Sequence, residues 1–378
     1  MPEDYVDKLS HQSIQQYLDQ AGIDYTTAGS YLRLVEHDSC VVDTRITENH
    51  THETFNWNSR GVGGDLNNFL QVYVGMPREE AWNKLKELRP ELAKMPNKKP
   101  CKEVKYQPEK WSASSDTQKV TDYLVNIRCL ESKTVEMLLK EDYVRQLGDG
   151  NCLFVWRSSL GKEIGSDIQG TTIDHKKYGK RGTLKKIVSG SQAHSGFNFQ
   201  NGPGNGNLCV FESPVDAISY SEMGAGWIDQ SNASYLSLNG AATKLQTIDE
   251  FVKDHGVPKE LHLCFDTDRA GKTAVLKYLK AHNTDTKGRV ELNGHKVLLK
   301  IDRPNRQYKD WNESLQNGDK WAFSQSPRTF IRNINLQNHD ELVSILNELS
   351  PHTNHLKHAG KNANRPVKPV VELAKRSR

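Results

Sequence analysis

Apolar residues follow two different periods along this chain, and the change of period divides it. Over 5–21, Val6, Leu9, Ile14, Tyr17 and Leu18 supply one face of a predicted amphipathic helix. From 31 to 58 the pattern shortens. Tyr31 to Val35, Ser39 to Asp43 and Thr54 to Trp57 predict three short antiparallel strands, with His50 to His52 in a polar turn. Arg60-Gly61-Val62-Gly63-Gly64-Asp65 predicts a glycine-rich corner. Asp65 then caps a helix over 66–73, and Pro77 opens another that reaches Leu88. Residues 93–117 are rich in Lys, Pro, Asn and Ser and predict a linker. Helices are predicted over 117–126 and 131–139. Short strands follow near 143–147, 152–156 and 164–168, and a Gly/Asn turn covers 200–207.

From 208 the rhythm becomes alternating. Strands are predicted at 208–211, 234–238, 260–265 and 296–301, with helices at 214–223, 243–254 and 270–281 between them. Continuous apolar strands separated by helices predict a parallel sheet with helical crossovers. Such a sheet carries its sites at the C-terminal ends of its strands. Further helices begin at Trp311 and cover 337–349. The tail from His352, rich in Asn, Lys and Pro, predicts disorder beyond about 355.

The chain has 378 residues, enough for two or three domains with real cores. It is 35% apolar and 26% charged, which is not a disordered composition. A formal net charge of +4 is a mild bias, so nucleic-acid binding has to rest on local patches. The cysteines at 40, 101, 129, 152, 209 and 264 form no Cys-x-x-Cys pair. They read as small buried hydrophobes, not as a disulfide scaffold. The start, Met1-Pro2-Glu3-Asp4-Tyr5, does not resemble a signal peptide, and no apolar run reaches membrane-spanning length. The expected location is the cytoplasm, with no membrane partner.

Two acidic strand ends carry the chemistry. Phe211-Glu212-Ser213-Pro214-Val215-Asp216 ends one apolar strand, and Cys264-Phe265-Asp266-Thr267-Asp268-Arg269-Ala270-Gly271 ends another. Asp266 and Asp268 are two apart and share a face of an extended segment. Asp216 lies one helical turn after Glu212. Carboxylates from two strand ends suit Mg²⁺, which takes few protein oxygens and leaves room for phosphate. The structural alternative is that these acids are helix caps. Upstream, Lys176, Lys177, Lys180, Arg181, Lys185 and Lys186 fall within one short stretch whose nearby acid is Asp174. That stretch fits a phosphate-contacting surface or a solvated loop. Arg128 and Arg157 are further candidates for such a groove. Lys309 stands next to Asp310, where it can neutralise nucleotide phosphate. Trp311, opening a helix beside Asp310, reads as a packed ring more readily than as one that stacks on a base.

Glu-x-x-x-Asp after one strand and Phe-Asp-x-Asp-x-Ala-Gly after another resemble the Toprim domain of bacterial primases, topoisomerases and related nucleases. Leu236-Ser237-Leu238-Asn239-Gly240-Ala241-Ala242 resembles the loop after the second Toprim strand. Lys309-Asp310-Trp311-Asn312-Glu313 resembles the Lys-Asp-Pro-Asp-Glu motif that closes the primase core. Leu153 to Gly161 and Lys180-Arg181-Gly182 resemble the basic subdomain before it. The arrangement is similar to primase-like proteins of plasmids and conjugative elements, with a domain of unknown function before Toprim.

The resemblance implies an α+β protein with an α/β Toprim core. Its expected parts are a ribbon-like domain over 1–92, a linker over 93–117 and a primase-like basic subdomain over 118–207. A catalytic Toprim domain over 208–320, a helical segment over 321–355 and a basic tail over 356–378 follow. Glu212, Asp266 and Asp268 match the catalytic and metal-binding positions, and Asp216 and Asp310 match accessory acids. Mg²⁺ or Mn²⁺ is the implied cofactor. Single-stranded DNA, NTPs or dNTPs, and a plasmid replication or relaxosome protein are the implied partners.

The implied activity is primer synthesis. A Toprim nuclease and a non-catalytic DNA-binding accessory protein are the alternatives. Several departures bear on this choice. Asn312 stands at the second acidic position of the closing motif, and Ser213 stands where primases have Gly. Arg128-Cys129 loosely resembles an Arg-Gly helix end. The ribbon lacks paired cysteines. His37, Cys40, His50 and His52 do not have the spacing of a usual zinc knuckle. A zinc-free ribbon held by Tyr31, Phe55, Trp57 and Phe69 is therefore expected.

Overall fold

The computed structural model describes residues 11–349 except 38, 48–49, 58–61, 93–104, 179–181, 225, 227, 241–243, 283 and 286. The first residues of the expected 5–21 helix, residues 93–104 of the expected linker and the C-terminal tail lie outside the described residues. Two compact units emerge, Met1–Val104 and Lys105–Arg378.

The first unit is a five-stranded antiparallel meander. Its strands are β1 (Tyr25–Ala28), β2 (Tyr31–Leu34), β3 (Cys40–Asp43), β4 (Thr54–Trp57) and β5 (Val62–Gly64), in sequence order. The two-residue period sends Leu32, Leu34, Cys40, Val42, Phe55 and Trp57 to one face. Helices α1 (Ile14–Ala21), α2 (Leu66–Val72) and α3 (Arg78–Leu92) contribute Ile14, Leu18, Phe69 and Leu85 to the same core. Asp65 caps α2 by accepting from the Asn68 N–H at 3.0 Å, as its position predicts. Two expectations change. Residues 62–64 pair with β4 as a strand and are not a corner. Tyr31 lies on the outer face, 39% exposed, under the Arg45 guanidinium. Parity explains this: Leu32 and Leu34 take the inward positions of β2, so Tyr31 must point out.

The second unit starts with helices α4 (Gln118–Asp122) and α5 (Ser132–Lys140) and a four-stranded antiparallel sheet. That sheet runs β6 (Val144–Gln146), β7 (Cys152–Arg157), β8 (Glu163–Gln169) and β9 (Lys185–Ile187), with the short helix α6 (His175–Tyr178) between β8 and β9. A seven-stranded sheet follows. It comprises β10 (Asn198–Asn201), β11 (Asn207–Phe211), β12 (Ala233–Ser237), β13 (Glu260–Leu263), β14 (Arg289–Leu292), β15 (His295–Pro304) and β16 (Ala322–Gln325). The order is β10-β12-β11-β13-β15-β14, with β16 also on β15.

The four strands expected to form a parallel sheet do so, and three further strands make the whole sheet mixed. β12, β11, β13 and β15 are mutually parallel, while β10, β14 and β16 flank them antiparallel. The β14–β15 link is a tight hairpin through Asn293 and Gly294, both at positive φ (47° and 78°), so the two strands return antiparallel without a crossover. The helices of this unit are α7 (Pro214–Met223), α8 (Gln246–His255), α9 (Arg269–Ala281), α10 (Trp311–Gln316), α11 (Pro327–Gln337) and α12 (His339–Leu349).

The central strands are buried on both faces, which is why they read as continuous apolar runs. Val210, Leu236, Leu263 and Leu299 enter one core with residues of α8, α9, α11 and α12. Cys209, Phe211, Tyr235 and Cys264 enter another with α5, α7 and Trp311. Four cysteines are buried as small hydrophobes, but Cys129 is exposed and held at φ 57°.

Candidate active site

The parallel strands β11 and β13 are adjacent, so their C-terminal ends deliver Glu212 and Asp266 side by side. The Asp266 N–H donates to Glu212 Oε1 at 3.2 Å. Asp268 caps α9, accepting from the Gly271 N–H at 3.0 Å. A Cβ on Gly271 would overlap the Asp266 carbonyl, so glycine permits α9 to start this close to the site. The Lys309 ammonium, 57% exposed, stands 3.3 Å from Asp266 Oδ2 and 3.5 Å from Asp268 Oδ2.

The electrostatics follow from crowding. Burial, then the charge of Glu212, pushes the Asp266 carboxyl well above its ordinary value. Burial and the charge of Asp268 push Glu212 up. Burial and the charge of Asp310 push Asp216 up. For Lys309, burial opposes the charge, but Asp266 and Asp268 outweigh it and hold the ammonium above its usual value.

Asp216 and Asp310 lie at the back of the same site. Ser213 Oγ–H donates to Asp216 Oδ2 at 2.5 Å, and the Asn312 N–H donates to Asp216 Oδ1 at 3.1 Å. Ser213 has φ −137°, a conformation open to any residue, so nothing there requires glycine. Asp310 caps α10, accepting from the Glu313 N–H at 2.8 Å. Both Asp268 and Asp310 are thus caps as well as members of the acidic site.

Asn312 is buried, and its amide is committed to structure. Its Nδ2 donates to the Arg128 carbonyl at 2.7 Å and to Ser219 Oγ at 3.0 Å, while Oδ1 accepts from Arg128 at 3.3 Å. Arg128 therefore reaches the closing motif. Arg157 does not: it pairs with Asp142 at 3.3 Å and lies over the Tyr143 ring. In the basic stretch, Lys176 and Lys177 are exposed on α6, and Lys185 and Lys186 are exposed on β9. Lys185 draws down the Asp216 carboxyl, so its charge reaches the site. Lys180 and Arg181 lie outside the described residues.

Two features had no sequence signal. Arg303, 7% exposed near the end of β15, donates to the carbonyls of Phe265 and Asp266. Burial lowers its pKa to about 10 against the raising charges of Asp266, Glu212 and Asp268. A fixed cation therefore lies under the acidic site. Asp167, buried on β8, accepts from Trp156 Nε1 at 2.8 Å and from Asn239 Nδ2 at 2.9 Å. It links the antiparallel sheet to the loop whose Gly240 N–H donates to the Glu212 carbonyl at 3.1 Å. Burial pushes the Asp167 carboxyl up to about 6.

Hard carboxylate oxygens crowded together suit a divalent cation, whose charge would offset their repulsion once they ionise. Among the described residues no group of three or more His, Cys, Asp or Glu is drawn together as a metal cage. Asp266 and Asp268 close instead on Lys309. The donor chemistry fits Mg²⁺ or Mn²⁺, with the ammonium standing where that charge is needed.

Residues 209–315 match the family described as Toprim-like. Its region spans both acidic strand ends and the closing motif. Residues 122–206, before this Toprim-like region, match a protein family of unknown function, DUF3991. The chain is 27% identical over 332 residues to pXO2-78, an uncharacterized protein of Bacillus anthracis, covering 83% of this chain and 89% of that one. The RNA polymerase domain of Mycobacterium tuberculosis primase DnaG is 16% identical, with 62% of this chain and 84% of that chain covered at a TM-score of 0.38. The Aquifex aeolicus primase, comprising zinc-binding and RNA polymerase domains, is 14% identical, with 91% of each chain covered at a TM-score of 0.34.

Proposed function

We propose that this protein is a primase-like nucleotidyltransferase that joins NTPs or dNTPs on single-stranded DNA, in the replication or transfer of a plasmid or mobile element. One observation carries the reading: in a Toprim-like region two adjacent strand ends bring Glu212 and Asp266 together, and the exposed Lys309 pairs with both Asp266 and Asp268. Glu212, Asp266 and Asp268 would hold Mg²⁺ or Mn²⁺, with Asp216 and Asp310 behind them. Bound metal would supply positive charge to the triphosphate and acidify the attacking 3′ hydroxyl.

The chain's own residues do the rest. Glu212, half-buried and raised in pKa, is suited to accept the hydroxyl proton. Lys309 meets a phosphate oxygen. Arg303 balances the carboxylates from beneath and keeps the Asp266 backbone in place. Lys176, Lys177, Lys180, Arg181, Lys185 and Lys186 contact the template backbone, and Arg128 braces the closing motif. In this reading 118–207 holds DNA, 208–320 is catalytic and 1–92 is a zinc-free ribbon.

The test is the full chain with single-stranded template, labelled NTPs or dNTPs and Mn²⁺. Template-dependent oligomers are expected, and Asp266→Ala should reduce them on the order of 100-fold or more. Cleaved template without synthesis would reassign the site as a nuclease. Binding with neither product would make the protein an accessory factor.

A further inference from the structure

Trp311 is packed: it is 1% exposed, and its Nε1 donates to the Cys264 carbonyl at 2.8 Å. The exposed rings lie ten residues further on. Trp321 is 75% exposed and Phe323 48% exposed. Trp321 immediately precedes β16 and Phe323 is its second residue, so both exposed rings lie at one end of this edge strand. β16 pairs antiparallel with β15, and Phe323 stands directly opposite Arg303. Arg303 in turn donates to the Phe265 carbonyl, at the base of the Asp266 segment. The rings are therefore one strand outboard of the acidic site, about 5 Å in sheet spacing from the Arg303 backbone.

A loop joins the two places. The Asp319 carboxylate accepts from Asn305 Nδ2 at 3.0 Å and from the Trp321 N–H at 2.8 Å, tying the aromatic edge to the segment after β15. That segment ends at Lys309. There the Thr267 N–H donates to the Lys309 carbonyl at 2.7 Å, and Thr267 Oγ1 donates to the Tyr308 carbonyl at 2.9 Å. The path from Trp321 to Asp266 and Asp268 is thus continuous and hydrogen-bonded at both ends. Exposed Lys320, Arg306 and Lys309 lie along it in the chain. Rings flanked by cations match a strand that offers base faces and phosphates together.

We propose that Trp321 and Phe323 form a stacking platform for bases of single-stranded DNA at the mouth of the carboxylate site, with the phosphates passing Lys320, Arg306 and Lys309. This rests on the reading of that site as one that handles DNA. Stacking on an open ring selects no base, so the platform holds template irrespective of sequence.

The experiment uses the full chain and a fluorescein-labelled oligo-dT of roughly 16 nucleotides, followed by anisotropy across a salt series. Trp321→Ala and Phe323→Ser should each weaken binding about 5- to 100-fold. Their salt dependence should match that of the parent protein. Trp321→Phe should restore most of the affinity. Lys309→Ala should instead flatten the salt slope by about 0.7. Unchanged affinity in the Trp321→Ala/Phe323→Ser double variant, with the parent binding DNA, overturns the platform and leaves the proposed function standing. A parent protein with no affinity for the oligonucleotide overturns both. A parent that sediments as a dimer, with a monomeric double variant of unaltered DNA affinity, overturns the platform in favour of an interface between copies.

Discussion

Cys129 shows how much one backbone angle can cost. It sits at φ 57°, where a Cβ crowds the following carbonyl. Cys129→Gly should raise stability by roughly 0.5–1 kcal/mol, read as a higher urea midpoint at unchanged m value. Asn312 makes the opposite point. The sequence gives it the look of a weakened acidic ligand, yet its amide spends both protons on Arg128 and Ser219. A carboxylate has no proton for either and would stand beside Asp216. Asn312→Asp should therefore destabilise the protein by roughly 1–3 kcal/mol in the same urea experiment. An Asn312→Asp protein as stable as the parent would remove Asn312 from its structural role.

Strands and helices hold a buried network of their own. Asp302 on β15 accepts from Tyr220 on α7 at 2.7 Å and lies 2.9 Å from His262 Nδ1 on β13, with Glu260 at 3.4 Å from Nε2. Burial disfavours the imidazolium, but the hydrogen bond to Asp302 and its charge outweigh that and raise His262 to about 9. A raised pKa means the folded chain binds the proton more tightly than the unfolded chain. The contribution is full below about 6.5 and is lost as pH rises through about 9; it is worth roughly 3 kcal/mol. Thermal melts from pH 6 to 9.5 should show this loss in the parent, and His262→Gln should reduce it, leaving the part owed to Glu212 and Asp266. A parent melting curve that does not change over that range would exclude a charged His262.

The whole second unit should respond to metal. Crowding costs stability wherever Glu212 and Asp266 are both ionised, because burial and the charge of Asp268 raise Glu212, and burial and the charge of Glu212 raise Asp266. Mg²⁺ or Mn²⁺ at about 100 times its Kd should raise Tm by about 5 °C or more. Asp266→Asn removes one of the repelling charges. It should melt higher than the parent without metal and lose the metal response. A metal-induced shift that survives Asp266→Asn would move the cation elsewhere.

The acidic strand ends were legible because their signals are local. An apolar run, an acid and a helix start lie within eight residues at Glu212 and again at Asp266. The Asp65 cap and α7, α9 and α10 were readable for the same reason. β16 was not, since Ala322 to Gln325 has no apolar alternation and becomes a strand by pairing with the end of β15. Arg303 and Asp167 look like ordinary charged residues until strands far apart in sequence enclose them. The two tryptophans state the division most plainly. Trp311 and Trp321 lie within one short stretch, both beside polar residues. α10 turns the first against Tyr220 in the core, and the edge position of β16 leaves the second in water. Local pattern determines where carboxylates end strands, because capping and periodicity act within a few residues. Which ring is buried and which faces solvent was decided by the tertiary fold, because burial depends on partners that only packing brings near.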